Sequence, residues 1–63
     1  MPIIQVSMME GRSDGEKARL IEALTAAVVE QLGAPRKSVR VLINEVPKAN
    51  WGIAGKTAKE LGR

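Results

Sequence analysis

Apolar and polar residues alternate along two short stretches of the chain, and this alternation predicts two β-strands. In residues 2–8 (PIIQVSM) and 38–46 (SVRVLINEV), apolar residues share one face of each stretch: Ile4, Val6 and Met8 in the first, and Val39, Val41 and Ile43 in the second. Alternation with a period of two is typical of a strand with one covered face. Pro47 ends the second stretch, because proline has no backbone N–H to donate to a neighbouring strand.

A helical pattern separates the two strands, and we expect an α-helix from Asp14 to Leu32. Ser13 and Glu16 have the spacing of a capping box at its start. Gly33 suits the position that follows a helix, and Pro35 prevents its continuation. The apolar residues recur at helical spacing and form one stripe: Leu20, Ile21, Leu24, Ala27, Val28 and Leu32.

Strand, helix and strand in this order predict one α/β (α+β) domain over residues 1–63, built on a single βαβ unit. The connection is long enough for a parallel pair with a right-handed crossover. The tail after Pro47 predicts a loop or short hairpin around Asn50–Gly55, followed by a loose helical turn. Parallel sheets are almost always covered on both faces, and one helix covers one face. We therefore expect subunits to join their sheets and bury the open faces together.

Composition narrows the chemistry. The 63 residues contain no Cys and no His, and the one aromatic side chain is Trp51. The sequence therefore predicts no disulfide and no thiolate zinc site, it lacks the commonest neutral metal ligand, and it leaves self-association as the source of stability. It shows no apolar run long enough for a membrane span and no signal-peptide pattern, so we expect a cytoplasmic protein without membrane partners.

Charge leaves a second class of function open. Ten basic and seven acidic residues give a net charge of +3, which permits an acidic partner. A small basic β-ribbon oligomer that binds nucleic acid, with Arg40 in a groove, is the alternative hypothesis. The basic residues are dispersed and have no aromatic neighbours for base stacking, which disfavours it.

Pro2 is the leading candidate for a general base. Side chains that titrate near neutral pH are missing, whereas an α-amino group has a reference pKa of roughly 7.7–8.0. Removal of Met1 leaves Pro2 as a free secondary amine, and apolar surroundings and nearby cations lower the pKa of such a group. The simpler interpretation is a proline that starts a strand, where proline is tolerated.

Several segments together resemble a known family. The stretch PIIQVSMMEGRSDGEKARLI with Pro2 and Arg12, the stretch SVRV with Arg40, and NWGIAG with Trp51 are similar to the tautomerase superfamily, in its short-chain 4-oxalocrotonate tautomerase branch. The resemblance covers nearly the whole chain without gaps. It implies an isomerase that works as a homohexamer, a trimer of dimers, and that needs no metal or cofactor.

The resemblance also implies roles for individual residues. Pro2 would carry a proton from a dienol to a distant carbon, giving a conjugated 2-oxo acid, as in aromatic catabolism. Arg12 would bind the remote carboxylate of a dicarboxylate substrate, and Arg40 the carboxylate and oxygen at the 2-keto end. Trp51 would form an apolar wall that lowers the pKa of the proline.

Two departures and one alternative accompany the resemblance. Trp51 stands where the reference tautomerase has Phe, so the size of the pocket and the preferred substrate are open. The dehalogenase branch has a further arginine just before the EGR turn, where this chain has Met8 and Met9, so that activity is disfavoured. A catalytically silent subunit that only assembles is the remaining alternative within the family.

Strand geometry adds an expectation about assembly. Pro2 opens the first strand and Arg12 lies beyond its end, which separates them by about 20 Å at ~3.3 Å per residue. A six-carbon substrate does not span that distance. If both residues serve one site, we expect Arg12 to come from a neighbouring chain. The sequence leaves open which chain supplies Arg40, and the family resemblance implies that it comes from another chain.

Overall fold

The computed structural model describes residues 2–63 and confirms the predicted βαβ unit. Strand β1 covers Ile3–Met9, helix α1 covers Asp14–Leu32, and strand β2 covers Arg40–Val46. A free amine at Pro2 depends on the removal of Met1, and Met1 lies outside the described residues. The two strands run parallel, as the long helical connection predicts.

The register of the parallel pair gives the sheet two distinct ends. Ile3 lies opposite Arg40 and Met9 lies opposite Val46, so both strands begin together and finish together. We call the end with Pro2 and Arg40 the starting end. The end with Met9, Val46 and the segments that follow them is the finishing end.

Both ends of α1 are set by local hydrogen bonds, as the sequence predicts. The Ser13 hydroxyl accepts from the Glu16 backbone N–H at 3.1 Å, and the Glu16 carboxylate accepts from the Ser13 N–H at 3.0 Å. Gly33 adopts a left-handed φ of 67° and its N–H donates to the Val29 carbonyl at 3.0 Å. Within residues 2–63, neither α1 nor any other helix combines the length and apolar character needed to cross a membrane.

The segment before β2 differs from the prediction. We expected a strand over 38–46, but residues Arg36–Ser38 form a 3-10 turn and pairing begins at Arg40. The turn is closed by the Ser38 N–H, which donates to the Pro35 carbonyl at 2.9 Å. Alternation of apolar residues therefore marked the strand correctly but did not mark the turn that precedes it.

The tail forms the expected short hairpin. A 3-10 turn at Lys48–Asn50 leads into β3 at Gly52–Ile53, which pairs antiparallel with β4 at Lys56–Thr57. The hairpin turn has two left-handed residues, Ala54 with a φ of 51° and Gly55 with a φ of 87°. Ala58 follows β4 and is fully buried, so the tail packs back onto the fold.

Burial in the single chain is incomplete. Along β1 and β2 the residues alternate between half-buried and exposed. Within the described chain, the buried apolar residues are Val39, at 9% exposure, and Ala58, at 0%. The predicted apolar stripe of α1 is covered in part: Ile21, Ala27 and Leu32 are exposed, Leu32 by 69%. One face of the sheet and part of the helix therefore have no cover within the chain.

Candidate active site

The starting end brings Pro2 and Arg40 together through the backbone. The Arg40 N–H donates to the Pro2 carbonyl at 3.1 Å, one residue ahead of the paired Ile3 and Arg40. Pro2 has no N–H to donate, so it takes part in this contact through its carbonyl. Pro2 is half-buried. The parallel register thus places the candidate base and one candidate arginine on adjacent strands.

The Arg40 guanidinium is held against the turn that precedes β2. Its Nη1 donates to the Lys37 carbonyl at 2.8 Å and to the Val39 carbonyl at 3.3 Å. A guanidinium has five N–H donors in a planar fork, and these contacts involve a single nitrogen. The Arg40 side chain is exposed. It therefore combines a fixed position with free donors, which is what recognition of a carboxylate requires.

Arg12 lies at the opposite end, in the turn that joins β1 to α1. Gly11 has a φ of 122° in that turn, a conformation that other residues rarely adopt. The Arg12 side chain is 67% exposed and its Nη1 lies 3.4 Å from the Glu16 Oε2. Arg12 is thus presented to the outside of the chain at the finishing end.

Trp51 also lies at the finishing end, just after β2. Its N–H donates to the Lys48 carbonyl at 3.4 Å, and its carbonyl accepts from the Ala58 N–H at 2.7 Å. The side chain is half-buried. The hairpin therefore fixes the Trp51 backbone while leaving part of the indole available for contact.

The four predicted site residues thus form two pairs at opposite ends of one sheet. Pro2 and Arg40 are at the starting end, and Arg12 and Trp51 are at the finishing end. Seven strand residues at ~3.3 Å each separate the ends by roughly 23 Å. The single chain does not bring the two pairs together.

An ion pair ties α1 to the finishing end of the sheet. The Lys17 Nζ lies 2.9 Å from the Glu45 Oε1 and 3.5 Å from the Asp14 Oδ1. The hydrogen bond to Glu45 raises the pKa of Lys17, against the opposing effect of desolvation. Because Lys17 is on α1 and Glu45 is on β2, this contact fixes the start of the helix, and with it the turn that carries Arg12.

Two basic residues that line the same cleft as Arg12 were not predicted from the sequence. Lys48 and Arg63 line, with Arg12, a cleft of about 470 Å³ at the finishing end, and Glu10 and Glu16 line it too. Lys48 and Arg63 are distant from Arg12 in sequence, so no local pattern predicts their proximity. Within residues 2–63 no cluster of three acidic, His or Cys side chains suited to a metal ion is found.

Comparison with known proteins gives the chain a family. The sequence model of a family described as tautomerase enzyme matches residues 2–60. A 2-hydroxymuconate tautomerase from Comamonas testosteroni is 59% identical over 63 residues, which covers all of both chains. These matches give no support to the alternative of a nucleic-acid-binding protein.

Solved structures agree with the sequence comparison. One of the 4-oxalocrotonate tautomerase isozymes from Methylibium petroleiphilum has a TM-score of 0.94 and 50% identity, covering 98% of this chain and 100% of that one. A heterohexamer 4-oxalocrotonate tautomerase from Chloroflexus aurantiacus J-10-fl has a TM-score of 0.91 and 39% identity, covering 97% and 98%. The fold therefore agrees along nearly the whole of each chain.

Proposed function

The chain belongs to the tautomerase family and is a keto–enol tautomerase, and we propose that it converts a 2-hydroxy-dienoate dicarboxylate to a conjugated 2-oxo acid, with Pro2 as the base. The similarity to 2-hydroxymuconate tautomerases over the full length supports this substrate class. The observation that supports the site assignment is the hydrogen bond from the Arg40 backbone N–H to the Pro2 carbonyl, because it joins the candidate base and a candidate arginine at one end of the sheet.

Pro2 suits the role of base once Met1 has been removed. An α-amino group titrates close to neutral pH in ordinary peptides, whereas the chain has no His or Cys. Apolar surroundings and nearby cations favour the free base over its cationic form, and we expect the assembled site to provide both. No cofactor is needed for this step.

The reaction is a proton transfer with no net change in composition. The amine of Pro2 accepts the proton of the substrate 2-hydroxyl, and the oxygen forms a carbonyl while the double bonds shift. Pro2 then returns the proton to a distant carbon. Negative charge develops on the 2-oxygen in between, and a guanidinium at Arg40 stabilises it.

Completion of the site requires another copy of the chain. Arg12 and Trp51 belong to the finishing end, about one strand length from Pro2, so we propose that a neighbouring subunit supplies them. The uncovered face of the sheet, with Ile3 and Leu42 exposed, provides the surface for association. The Chloroflexus relative is a heterohexamer, and for this chain we propose a homohexamer, a trimer of dimers.

The proposal is tested by measuring two properties of the same sample. Ketonisation of 2-hydroxymuconate is followed by ultraviolet absorbance, and intact mass reports whether Met1 is present. We expect turnover by the processed chain and none by a fraction that retains Met1. Equal turnover by both fractions would exclude Pro2 as the base, because its nitrogen is then part of a peptide bond.

A further inference from the structure

The ion pair between the Arg12 and Glu16 side chains is weak. A single Nη1 to Oε2 distance of 3.4 Å joins the two side chains, which are 67% and 41% exposed. A distance of 3.4 Å is beyond the usual range for an N–H···O bond. Arg12 therefore keeps most of its donors for a ligand, while a carboxylate of its own chain remains beside it.

The capping box fixes the position of the Glu16 carboxylate. Oε1 accepts from the Ser13 N–H at 3.0 Å and from the Ser13 hydroxyl at 3.3 Å, and the Glu16 N–H donates back to that hydroxyl at 3.1 Å. Oε1 is thus engaged with the helix start, and Oε2 is left facing Arg12. Glu16 is held in place whether or not Arg12 contacts it.

Glu16 is an anion under ordinary conditions. The hydrogen bond from the Ser13 backbone lowers the pKa of its carboxyl, the Ser13 hydroxyl lowers it further, and the charge of Arg12 acts in the same direction. A full negative charge therefore stands next to Arg12 at neutral pH.

A ligand that approaches Arg12 through either of two clefts comes close to the Glu16 carboxylate. Arg12 and Glu16 both line the cleft of about 470 Å³ at the finishing end, and both line a second cleft of about 260 Å³ beside α1. A carboxylate that binds Arg12 therefore lies close to a fixed carboxylate of the same sign. Like charges at such separations repel, and Glu16 also occupies one Arg12 donor.

We propose that Glu16 is a specificity-determining residue that weakens the binding of the remote substrate carboxylate at Arg12. This inference rests on the proposed function, since it assigns Arg12 to that carboxylate. Glu16 reduces the advantage of a dicarboxylate over a monocarboxylate at this site. The capping box supplies the rigidity that makes its charge effective.

The substitution Glu16→Gln tests the charge without removing the cap. Glutamine retains a carbonyl oxygen for the Ser13 N–H and is an accepted capping-box residue. We expect KM for 2-hydroxymuconate to fall by about two- to fivefold, as suits an exposed ion pair. We expect kcat and the KM for a 2-hydroxy-dienoate with a single carboxylate to stay unchanged. The effect should shrink in high salt.

A binding measurement keeps this test independent of turnover. Calorimetric titration with a saturated six-carbon dicarboxylate, and with its monocarboxylate counterpart, gives Kd for each. Glu16→Gln should tighten binding of the dicarboxylate alone. An unchanged or weaker Kd would overturn the proposal. Tighter binding in a sample without turnover would support the role of Glu16 while contradicting the proposed function.

Two matched variants isolate the Arg12 contact. Asp14→Asn removes the same charge from the same helical turn, but Asp14 pairs with Lys17 and not with Arg12, so we expect no change in KM. In an Arg12→Ala background, Glu16→Gln should also have no effect. An equal gain in either variant would indicate a general charge effect and would refute the assignment.

Discussion

The two ends of the parallel sheet are built in different ways. At the starting end the decisive contact is between backbones, from the Arg40 N–H to the Pro2 carbonyl. At the finishing end the contacts join charged side chains, Arg12 with Glu16 and Lys17 with Glu45. The backbone thus positions the proposed base, whereas charged side chains surround the arginine that we propose for carboxylate binding.

This difference separates the expected effects of substitution. Changes at the starting end should act on kcat, since we propose that its groups touch the atoms that gain or lose the proton. Changes at the finishing end should act on KM and on stability. A starting-end variant that changes only KM, or a finishing-end variant that changes only kcat, would contradict this division between the two ends.

Replacement of Pro2 should have the largest effect. A large residue at position 2 keeps Met1 in place, so Pro2→Leu leaves no free amine near the site, and we expect kcat to fall by about 10⁴-fold. Pro2→Ala leaves a primary amine, and we expect a loss of about 10²-fold. The ultraviolet assay measures both losses.

The fold provides the control for these Pro2 variants. Residue 2 contributes its carbonyl to Arg40, which any amino acid supplies, so circular dichroism and oligomer size should not change. Intact mass must show Met1 on the Leu variant and its removal from the Ala variant. Wild-type kcat in a Leu variant that retains Met1 would show that the amine of residue 2 is not the base.

Arg40→Ala should have the next largest effect. Loss of the guanidinium beside the developing oxyanion should lower kcat by about 10²-fold. The matched control is Arg36→Ala. Arg36 is an exposed arginine in the turn before β2 and pairs with Glu22, so its removal should leave kcat unchanged. Equal losses in both variants would indicate damage to the turn and not to catalysis.

Arg12→Ala should act on binding. We expect KM for the dicarboxylate to rise by about 10-fold, because a charge-assisted hydrogen bond is lost, while KM for a monocarboxylate changes little. Arg19 lines the smaller cleft beside Arg12 and provides the control as Arg19→Ala. Equal penalties on the two substrates would contradict the role of Arg12, and a fall in kcat alone would break the division between the ends.

The backbone of both ends was predictable from the sequence. The alternation in β1 and β2, the capping box of Ser13 and Glu16, and Gly33 after α1 are local signals. The structure has each of them, with β1 starting one residue and β2 two residues later than expected. The proximity of Arg40 to Pro2 follows from the parallel register once the βαβ order is known.

The side-chain arrangement of the finishing end was not predictable in the same way. The approach of Lys48 and Arg63 to Arg12 depends on how the tail folds back after β4, and no periodic pattern encodes that path. Lys17 gives a second example, because its side chain is 21% exposed and pairs with Glu45 from a distant part of the chain. Long-range contacts between charges leave no local signature in the sequence.

Ser13→Ala tests the stability of the finishing end. Loss of the cap should lower the free energy of unfolding by about 1 kcal/mol, measured by urea denaturation at fixed protein concentration. Ser38→Ala is the control, because its hydroxyl donates to Pro35 in the turn before β2 and lies outside α1. A larger loss from Ser38→Ala would place the more stability-sensitive turn at the other end of the sheet.

The pH dependence of the Lys17 contact should be the smallest effect. Its pKa is raised above the ordinary value of 10.5, first of all by the hydrogen bond to Glu45. Its stabilising contribution is therefore fully present below pH 10.5 and is lost as the pH rises through the raised value. Lys17→Met should be less stable than the wild type at neutral pH, and the difference should disappear in strong alkali.

Lys59→Met controls for the general loss of a cation in this experiment. Lys59 is exposed, so its removal should leave the free energy of unfolding nearly unchanged at neutral pH. If the difference between the wild type and Lys17→Met persisted at a pH above the raised pKa, the stabilisation would come from packing of the lysine stem. Apolar contacts of Lys17, and not its ion pair, would then stabilise the finishing end. The contrast between backbone contacts at one end of the sheet and charged side chains at the other would not hold for Lys17.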